Sequence, residues 1–142
     1  MSDRIKNFRP GAKILIVDDL PDIRLVLEVF LKYEGAEVLI AENSSNAIDI
    51  VFASQPALVL LDMFLPDHDG YFTARTMRQR GFEAPIIAMT GRTGAGEREK
   101  CIQAGCADYL TKPIDLFQLR AMLHRHLALP HFLSDGLRLS LQ

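Results

Sequence analysis

The sequence is short of cysteines, of excess positive charge and of long apolar runs. Its two cysteines, Cys101 and Cys106, have no cysteine or histidine nearby that would complete a zinc set, so we interpret them as reduced thiols on or beside a helix. The 16 basic and 18 acidic residues give a net charge of -2. Because nucleic-acid phosphates attract an excess of positive charge, this balance argues against a nucleic-acid partner.

Apolar segments are too short for a membrane protein. No stretch approaches the ~20 consecutive apolar residues that span a bilayer. The N-terminal residues also lack an apolar core of the length found in signal peptides. We therefore expect no membrane insertion and a cytoplasmic location.

The size and composition fit one folded domain. With 142 residues, 49% of them hydrophobic, the chain can bury a core without disulfides or metals. We predict an N-terminal extension at residues 1–11, one domain at 12–128 and a C-terminal tail at 129–142. Leucines in the tail alternate with polar residues, which we interpret as a loosely docked terminus, with a strand that pairs with a second molecule as the alternative. A monomer or a weak dimer is expected.

Strand-like runs alternate with helix-like runs five times along the chain. This alternation is typical of βαβ crossovers, in which helices cover both faces of a parallel sheet. The predicted fold class is therefore α/β, a doubly wound parallel sheet in a single domain. The predicted strands are Lys13 to Asp18, Glu37 to Ala41, Ala57 to Asp62, Pro85 to Thr90 and Ala107 to Thr111.

Helix signals fill the intervals between the strands. Pro21 suits the first position of a helix, and an apolar stripe follows it. Ser44, Asp69 and Asp115 are candidate N-caps, because their side chains can accept a hydrogen bond from a free backbone N–H. The stripe of the first helix consists of Ile23, Val26, Leu27, Phe30 and Leu31, and that of the last helix of Leu116, Leu119, Leu123 and Leu127.

Three acidic residues stand at the ends of predicted strands. Asp18 and Asp19 end the first strand and Asp62 ends the third. Ligands of open parallel sheets bind beyond the carboxyl ends of the strands, so we expect these carboxylates to meet in one pocket. At ~5 Å, each pair would repel by roughly 3 kcal/mol at an effective dielectric constant of about 20. Such a site is expected to raise a pKa or to hold a hard divalent cation.

A hydroxyl and an ammonium group are expected at the same edge, because Thr90 ends the fourth strand and Lys112 follows the fifth. Asp18, Asp19, Asp62, Thr90 and Lys112, in this order and at these strand ends, resemble the pattern of the receiver domain of two-component response regulators. The resemblance covers about residues 12–128. Three segments carry the resemblance: Asp62 to Gly70 is similar to the family's phosphoacceptor loop, Ile86 to Gly91 to its switch-threonine strand, and Ala107 to Pro113 to the segment with its aromatic switch and lysine. The resemblance implies a flavodoxin-like (βα)5 sheet with strand order 2-1-3-4-5 and a cis Lys112–Pro113 bond.

The resemblance also implies a phosphoacceptor and a metal. Asp62 is the expected phosphoacceptor, since a carboxylate can attack phosphorus as a nucleophile. Mg²⁺ is the expected cofactor, held by Asp19, Asp62 and the backbone carbonyl of Phe64, with Asp18 acting partly through water.

Three further residues have implied roles in the response. Lys112 is expected to pair with a phosphoryl oxygen, and Thr90 to hydrogen-bond the new phosphoryl group. Thr90 and Tyr109 are the expected switch residues, which change the surface of the fourth helix, fifth strand and fifth helix. The implied partners are a histidine kinase or histidine phosphotransfer protein and a downstream protein that binds this face. The chain is not expected to be an enzyme beyond catalysing its own phosphorylation and dephosphorylation.

Other functions fit the same fold. The receiver can be free-standing, can relay phosphate within a phosphorelay, or can belong to a hybrid histidine kinase. A Mg²⁺-dependent phosphohydrolase with an Asp nucleophile is the enzymatic alternative, but Phe64 stands where such enzymes place an acid/base Asp. A flavin-binding protein is the third alternative, although Asp18 and Asp19 would repel a flavin phosphate.

Overall fold

The computed structural model describes residues 10–128, in which strands alternate with helices. The strands are β1 (Lys13–Val17), β2 (Glu37–Ala41), β3 (Leu58–Asp62), β4 (Ile86–Thr90) and β5 (Asp108–Thr111). The helices are α1 (Pro21–Tyr33), α2 (Ser44–Ser54), α3 (Gly70–Gln79), α4 (Glu97–Gln103) and α5 (Leu116–Leu127).

All five strands form one parallel sheet in the order β2-β1-β3-β4-β5, which confirms the predicted fold class and the order implied by the resemblance. The observed strands begin or end one residue inside four of the predicted ones, a difference that is usual at the ends of elements. The register brings the carboxyl ends of the inner strands side by side. Paired residues at these ends are Val17 with Leu61, Asp62 with Met89, and Thr90 with Thr111.

A layer of helices covers each face of the sheet. Residues of α2, α3 and α4 share one core cluster, and residues of α1 and α5 share the other. Every residue of β3 and β4 is buried. Because a fully buried Leu or Ile side chain stabilises the fold by about 1.5–3 kcal/mol, these continuous apolar strands fix the centre of the sheet.

Two of the three predicted N-caps are confirmed and one is wrong. Asp69 and Asp115 accept hydrogen bonds from backbone N–H groups of α3 and α5. The cap of α2 is Asn43, one residue before the predicted Ser44. Ser44 already lies in the helix, where its buried hydroxyl is 2.6 Å from that of Thr73.

The first helix buries a narrower stripe than predicted. Pro21 is its first residue, as expected, and Leu27 and Leu31 are buried. Val26 is 54% exposed, because it lies about 100° around the helix from Leu27 and faces outward with Val29. The helix therefore presents an apolar face to solvent as well as to the core.

Within residues 10–128, no helix is both long and apolar enough to cross a membrane. Cys101 and Cys106 are buried free thiols, as interpreted from the sequence. The predicted C-terminal tail lies outside the described residues, and the predicted domain limits stay a prediction.

Gly70 begins α3 where the backbone of the preceding loop approaches most closely. A Cβ at this position would lie 2.7 Å from the Cα of Met63 and 2.8 Å from the carbonyl oxygen of Asp62. Both are backbone atoms and cannot rotate away. Glycine therefore allows α3 to start directly against the end of β3.

We expect Gly70→Ala to lower the free energy of unfolding by about 1–3 kcal/mol, because overpacking forces the backbone to shift. Urea denaturation measures the change. Gly94→Ala is the control, since a Cβ there would meet nothing within 4 Å, and its effect should stay within about 0.5 kcal/mol. Unchanged stability of Gly70→Ala would contradict the close approach.

Candidate functional site

Three carboxylates meet at the carboxyl edge of the sheet. Asp18, Asp19 and Asp62 each offer an oxygen, and these oxygens lie within 4.8 Å of one another. Asp18 is fully buried and Asp62 is 3% exposed, whereas Asp19 faces solvent. The neighbouring positions of β1 and β3 bring together residues that are more than 40 positions apart in the sequence.

Lys112 supplies the positive charge of the pocket. Its Nζ lies 3.0 Å from Oδ2 of Asp18 and 3.4 Å from Oδ2 of Asp62. The Lys112–Pro113 peptide bond is cis, as the resemblance implied. One ammonium group offsets one of three carboxylate charges, so the pocket keeps a negative charge.

Burial controls the protonation of Asp62. The loss of water around this carboxyl raises its pKa above the usual 3.8, and the charge of Asp18 raises it further. The backbone N–H of Phe64, which donates to Oδ1 at 3.0 Å, and the ammonium of Lys112 lower the pKa but do not cancel the rise. The ionised form of Asp62 is therefore held at a cost, which a bound cation would reduce.

Thr90 is buried at the end of β4, the strand next to β3. Its Oγ1 accepts a hydrogen bond of 3.0 Å from the backbone N–H of Arg92 and retains its own proton as a donor. The Arg92 guanidinium lies 4.6 Å from the ring centre of Phe64. This cation–π contact bridges the loops that follow β3 and β4.

Tyr109 is partly buried on β5 and packs against the core beneath α2, α3 and α4. The Arg98 guanidinium lies 5.9 Å from its ring centre. Next to Tyr109, the buried Asp108 accepts from Arg125 at 2.7 Å and lies 3.3 Å from His126. Burial opposes the ionisation of Asp108, but the hydrogen bonds from His126 and from the Tyr109 N–H, with the charge of Arg125, lower its pKa overall.

The Asp108 cluster and one loop contact were missed by sequence reasoning. Asp67 lies in the loop after β3, and its carboxylate accepts hydrogen bonds from the backbone N–H groups of Ser44 at 2.9 Å and Ser45 at 3.1 Å. Asp67 thus caps α2 from a different part of the chain. The sequence carries no signal for either arrangement, because both join residues that are distant along the chain.

Comparison with known proteins identifies the family of this fold and site. The family model of the response regulator receiver domain matches residues 14–124. The chain belongs to this family.

Solved receiver domains have similar structures. The receiver domain of a sensor histidine kinase from Pseudomonas aeruginosa, described with magnesium in its active-site cleft, is 34% identical, with a TM-score of 0.76 over 82% of this chain and 98% of that one. A response regulator from Clostridium difficile is 31% identical, with a TM-score of 0.78 over 82% and 96% of the two chains. A Saccharomyces cerevisiae response regulator receiver domain, solved with a histidine phosphotransfer protein, is 29% identical, with a TM-score of 0.80 over 89% and 97%.

The donor set of the pocket fits a hard divalent cation. Mg²⁺ takes oxygen ligands and is commonly bound by one or two carboxylates with water completing its shell. Asp18, Asp19 and Asp62 present such oxygens within 4.8 Å of one another in the pocket. With Lys112 offsetting one charge, a divalent cation would neutralise the remainder.

The raised pKa of Asp62 predicts a pH-dependent effect of its removal. In chelator, Asp62→Asn should raise the free energy of unfolding at pH 7, because the wild type must keep a carboxylate ionised where burial and Asp18 oppose it. Since the folded pKa lies above 3.8, wild-type stability relative to the variant should fall as pH rises from about 3.8 through the folded pKa.

Urea denaturation from pH 3.5 to pH 7 measures the difference between the two proteins. Asp49→Asn, which changes an exposed carboxylate on α2, is the control and should show no comparable gain. A loss of stability in Asp62→Asn at pH 7 would contradict the assignment of a costly charge at this position.

Proposed function

We propose that Asp62 is the phosphoacceptor of this receiver domain and takes a phosphoryl group from a histidine kinase or a histidine phosphotransfer protein. Membership of the receiver family supports the class of reaction. The supporting observation in the structure is a buried Asp62 beside the Lys112 ammonium and two further carboxylates.

Each residue of the pocket has its own role in the proposed reaction. An Asp62 oxygen attacks the phosphorus of a phosphohistidine, the P–N bond breaks, and the imidazole nitrogen keeps the electron pair. Asp19, Asp62 and the backbone carbonyl of Phe64 would hold Mg²⁺, with Asp18 acting partly through water. Bound Mg²⁺ supplies charge neutralisation for the phosphoryl oxygens. Lys112 pairs with one of these oxygens, for which it must exchange its contact with Asp62.

The output is a change of conformation. Thr90 can donate a hydrogen bond from its hydroxyl group to the new phosphoryl group. This contact draws the loop after β4 inward. Tyr109, already partly buried on the adjacent strand, is the second switch residue. The face of α4, β5 and α5 carries the exposed arginines Arg98 and Arg125 beside Tyr109, and we propose it as the surface that binds the downstream partner.

A phosphohydrolase is less well supported. Phe64 is 45% exposed at the position where an acid/base carboxylate would be needed, and the Arg92 guanidinium lies over its ring. We therefore propose a signalling role with at most self-catalysed phosphorylation and dephosphorylation. A cytoplasmic location stays a prediction.

Incubation with a small acyl phosphate and Mg²⁺, followed by intact mass measurement, tests the phosphoacceptor. The wild type should gain the mass of one phosphoryl group, because the pocket itself holds the groups that activate the donor. Asp62→Ala should gain none, and chelation of Mg²⁺ should abolish the gain in the wild type. Asp49→Ala is the control and should be modified like the wild type. Modification of both the wild type and Asp62→Ala would defeat the assignment.

An apolar face of α1 is the proposed docking surface for the phosphoryl donor. Leu25 and Val29 are each 60% exposed and Tyr33 is 61% exposed. With Leu116 of α5 they line a groove of about 480 Å³. The helix starts at Pro21, directly after the loop that carries Asp18 and Asp19, so a helical partner on this face would reach the pocket. Exposed apolar patches of this kind mark protein contacts.

Val29→Glu is expected to slow transfer from a phosphorylated histidine phosphotransfer protein at least about tenfold, since a buried charge in an interface costs on the order of 2 kcal/mol. Modification by the small acyl phosphate should be unchanged. Rates are measured by loss of label from a donor that modifies the wild type. Ile102→Glu, at an exposed position of α4, is the control, and an equal loss of transfer in both variants would contradict the location of the surface.

A further inference from the structure

The loop that carries Asp18 and Asp19 is held by a side chain outside the pocket. Nη1 of Arg24, in the second turn of α1, donates to the backbone carbonyl of Asp18 at 2.9 Å. The Arg24 side chain is only 16% exposed. A largely buried side chain therefore donates to a backbone oxygen in the turn between β1 and α1.

The same side chain reaches the neighbouring strand. Nη2 of Arg24 lies 3.7 Å from Oε2 of Glu42, the residue directly after β2, and the Glu42 side chain is 67% exposed. The backbone N–H of Asp18 donates to the carbonyl of Ala41 at 3.2 Å, so β1 and β2 are already joined here. Arg24 adds a second link between the turn and the end of β2.

These contacts fix the peptide group between Asp18 and Asp19. Its carbonyl accepts from Arg24, while the Asp18 carboxylate accepts from the backbone N–H of Leu20 at 2.9 Å and from Lys112 at 3.0 Å. Asp19 is exposed but contributes an oxygen to the cluster, and this peptide group holds the backbone on its N-terminal side. The orientation of Asp19 therefore depends on the backbone that Arg24 holds.

We propose that Arg24 is a positioning residue of the metal site: it holds the peptide between Asp18 and Asp19 so that the Asp19 carboxylate joins those of Asp18 and Asp62 around a divalent cation. The inference rests on the metal site of the proposed function. Groups that orient metal ligands commonly contribute tenfold or more to metal affinity, although they never touch the metal.

The charge of Arg24 acts in the opposite direction. A guanidinium near the pocket repels a cation, so removing the charge alone would strengthen Mg²⁺ binding. Removing the hydrogen bond to Asp18 would weaken it. The sign of the change therefore separates positioning from simple electrostatics.

Isothermal titration with Mg²⁺ alone, on the wild type, Arg24→Met, Arg24→Lys and Glu42→Gln, tests the inference. Arg24→Met should bind about tenfold more weakly, because it keeps the apolar length of the side chain but cannot donate. Arg24→Lys should fall between it and the wild type, since Lys keeps a donor for the Asp18 carbonyl but loses the planar fork that fixes its direction. Glu42→Gln should change the affinity less than about twofold, because Arg24 keeps its bond to Asp18.

Urea denaturation in chelator supplies a readout of stability that is independent of Mg²⁺. A loss of stability with unchanged Mg²⁺ affinity would reduce Arg24 to a structural residue and overturn the proposal. Tighter binding in Arg24→Met would also overturn it. If Arg24→Met does not fold, the affinity of Arg24→Lys decides alone, and equality with the wild type counts against positioning. Failure of the wild type itself to bind Mg²⁺ would instead remove the metal site and the proposed function with it.

Discussion

Repulsion among three carboxylates, relieved in part by one ammonium group, is the constraint to which the rest of this structure is fitted. Asp18 and Lys112 are 94 positions apart, and their contact at 3.0 Å requires that β1, β3, β4 and β5 all end at one level. The buried apolar strands supply the free energy that keeps the acids together. Lys112 offsets only part of the negative charge of these acids, so the remaining charge can attract a cation.

The helices of the two layers adjoin different parts of the pocket. On one side, α1 leads away from the acidic turn and leaves apolar side chains in solvent, while α5 carries the residues after Lys112 back across the sheet. On the other, α3 starts in direct contact with the end of β3 at Gly70, and α4 follows the loop that leaves Thr90. Each charged or hydroxyl group of the pocket thus lies at or just after the end of a strand that pairs with at least one neighbour, and a helix follows each of these strands.

The sheet and the pocket were largely predictable from the sequence, because both depend on local signals. Apolar runs of five residues identify buried strands, and an acid at the end of such a run needs no tertiary information to be placed at the edge of a parallel sheet. The errors and omissions have the opposite origin. The cap at Asn43 and the exposure of Val26 depend on which neighbours arrive, and the contacts of Arg24, Asp67 and Asp108 join residues whose pairing only the fold decides.

Asp67 ties the loop after β3 to the start of α2. Its carboxylate accepts from two backbone N–H groups at the amino end of α2, so the segment after Asp62 cannot move away from α2 without leaving these two donors unpaired. On the far side of the pocket, the glycines at 91, 94 and 96 have open space around them. The loop after β3 is therefore anchored to a neighbouring helix, whereas the loop after β4 has room to change its backbone path beside Thr90.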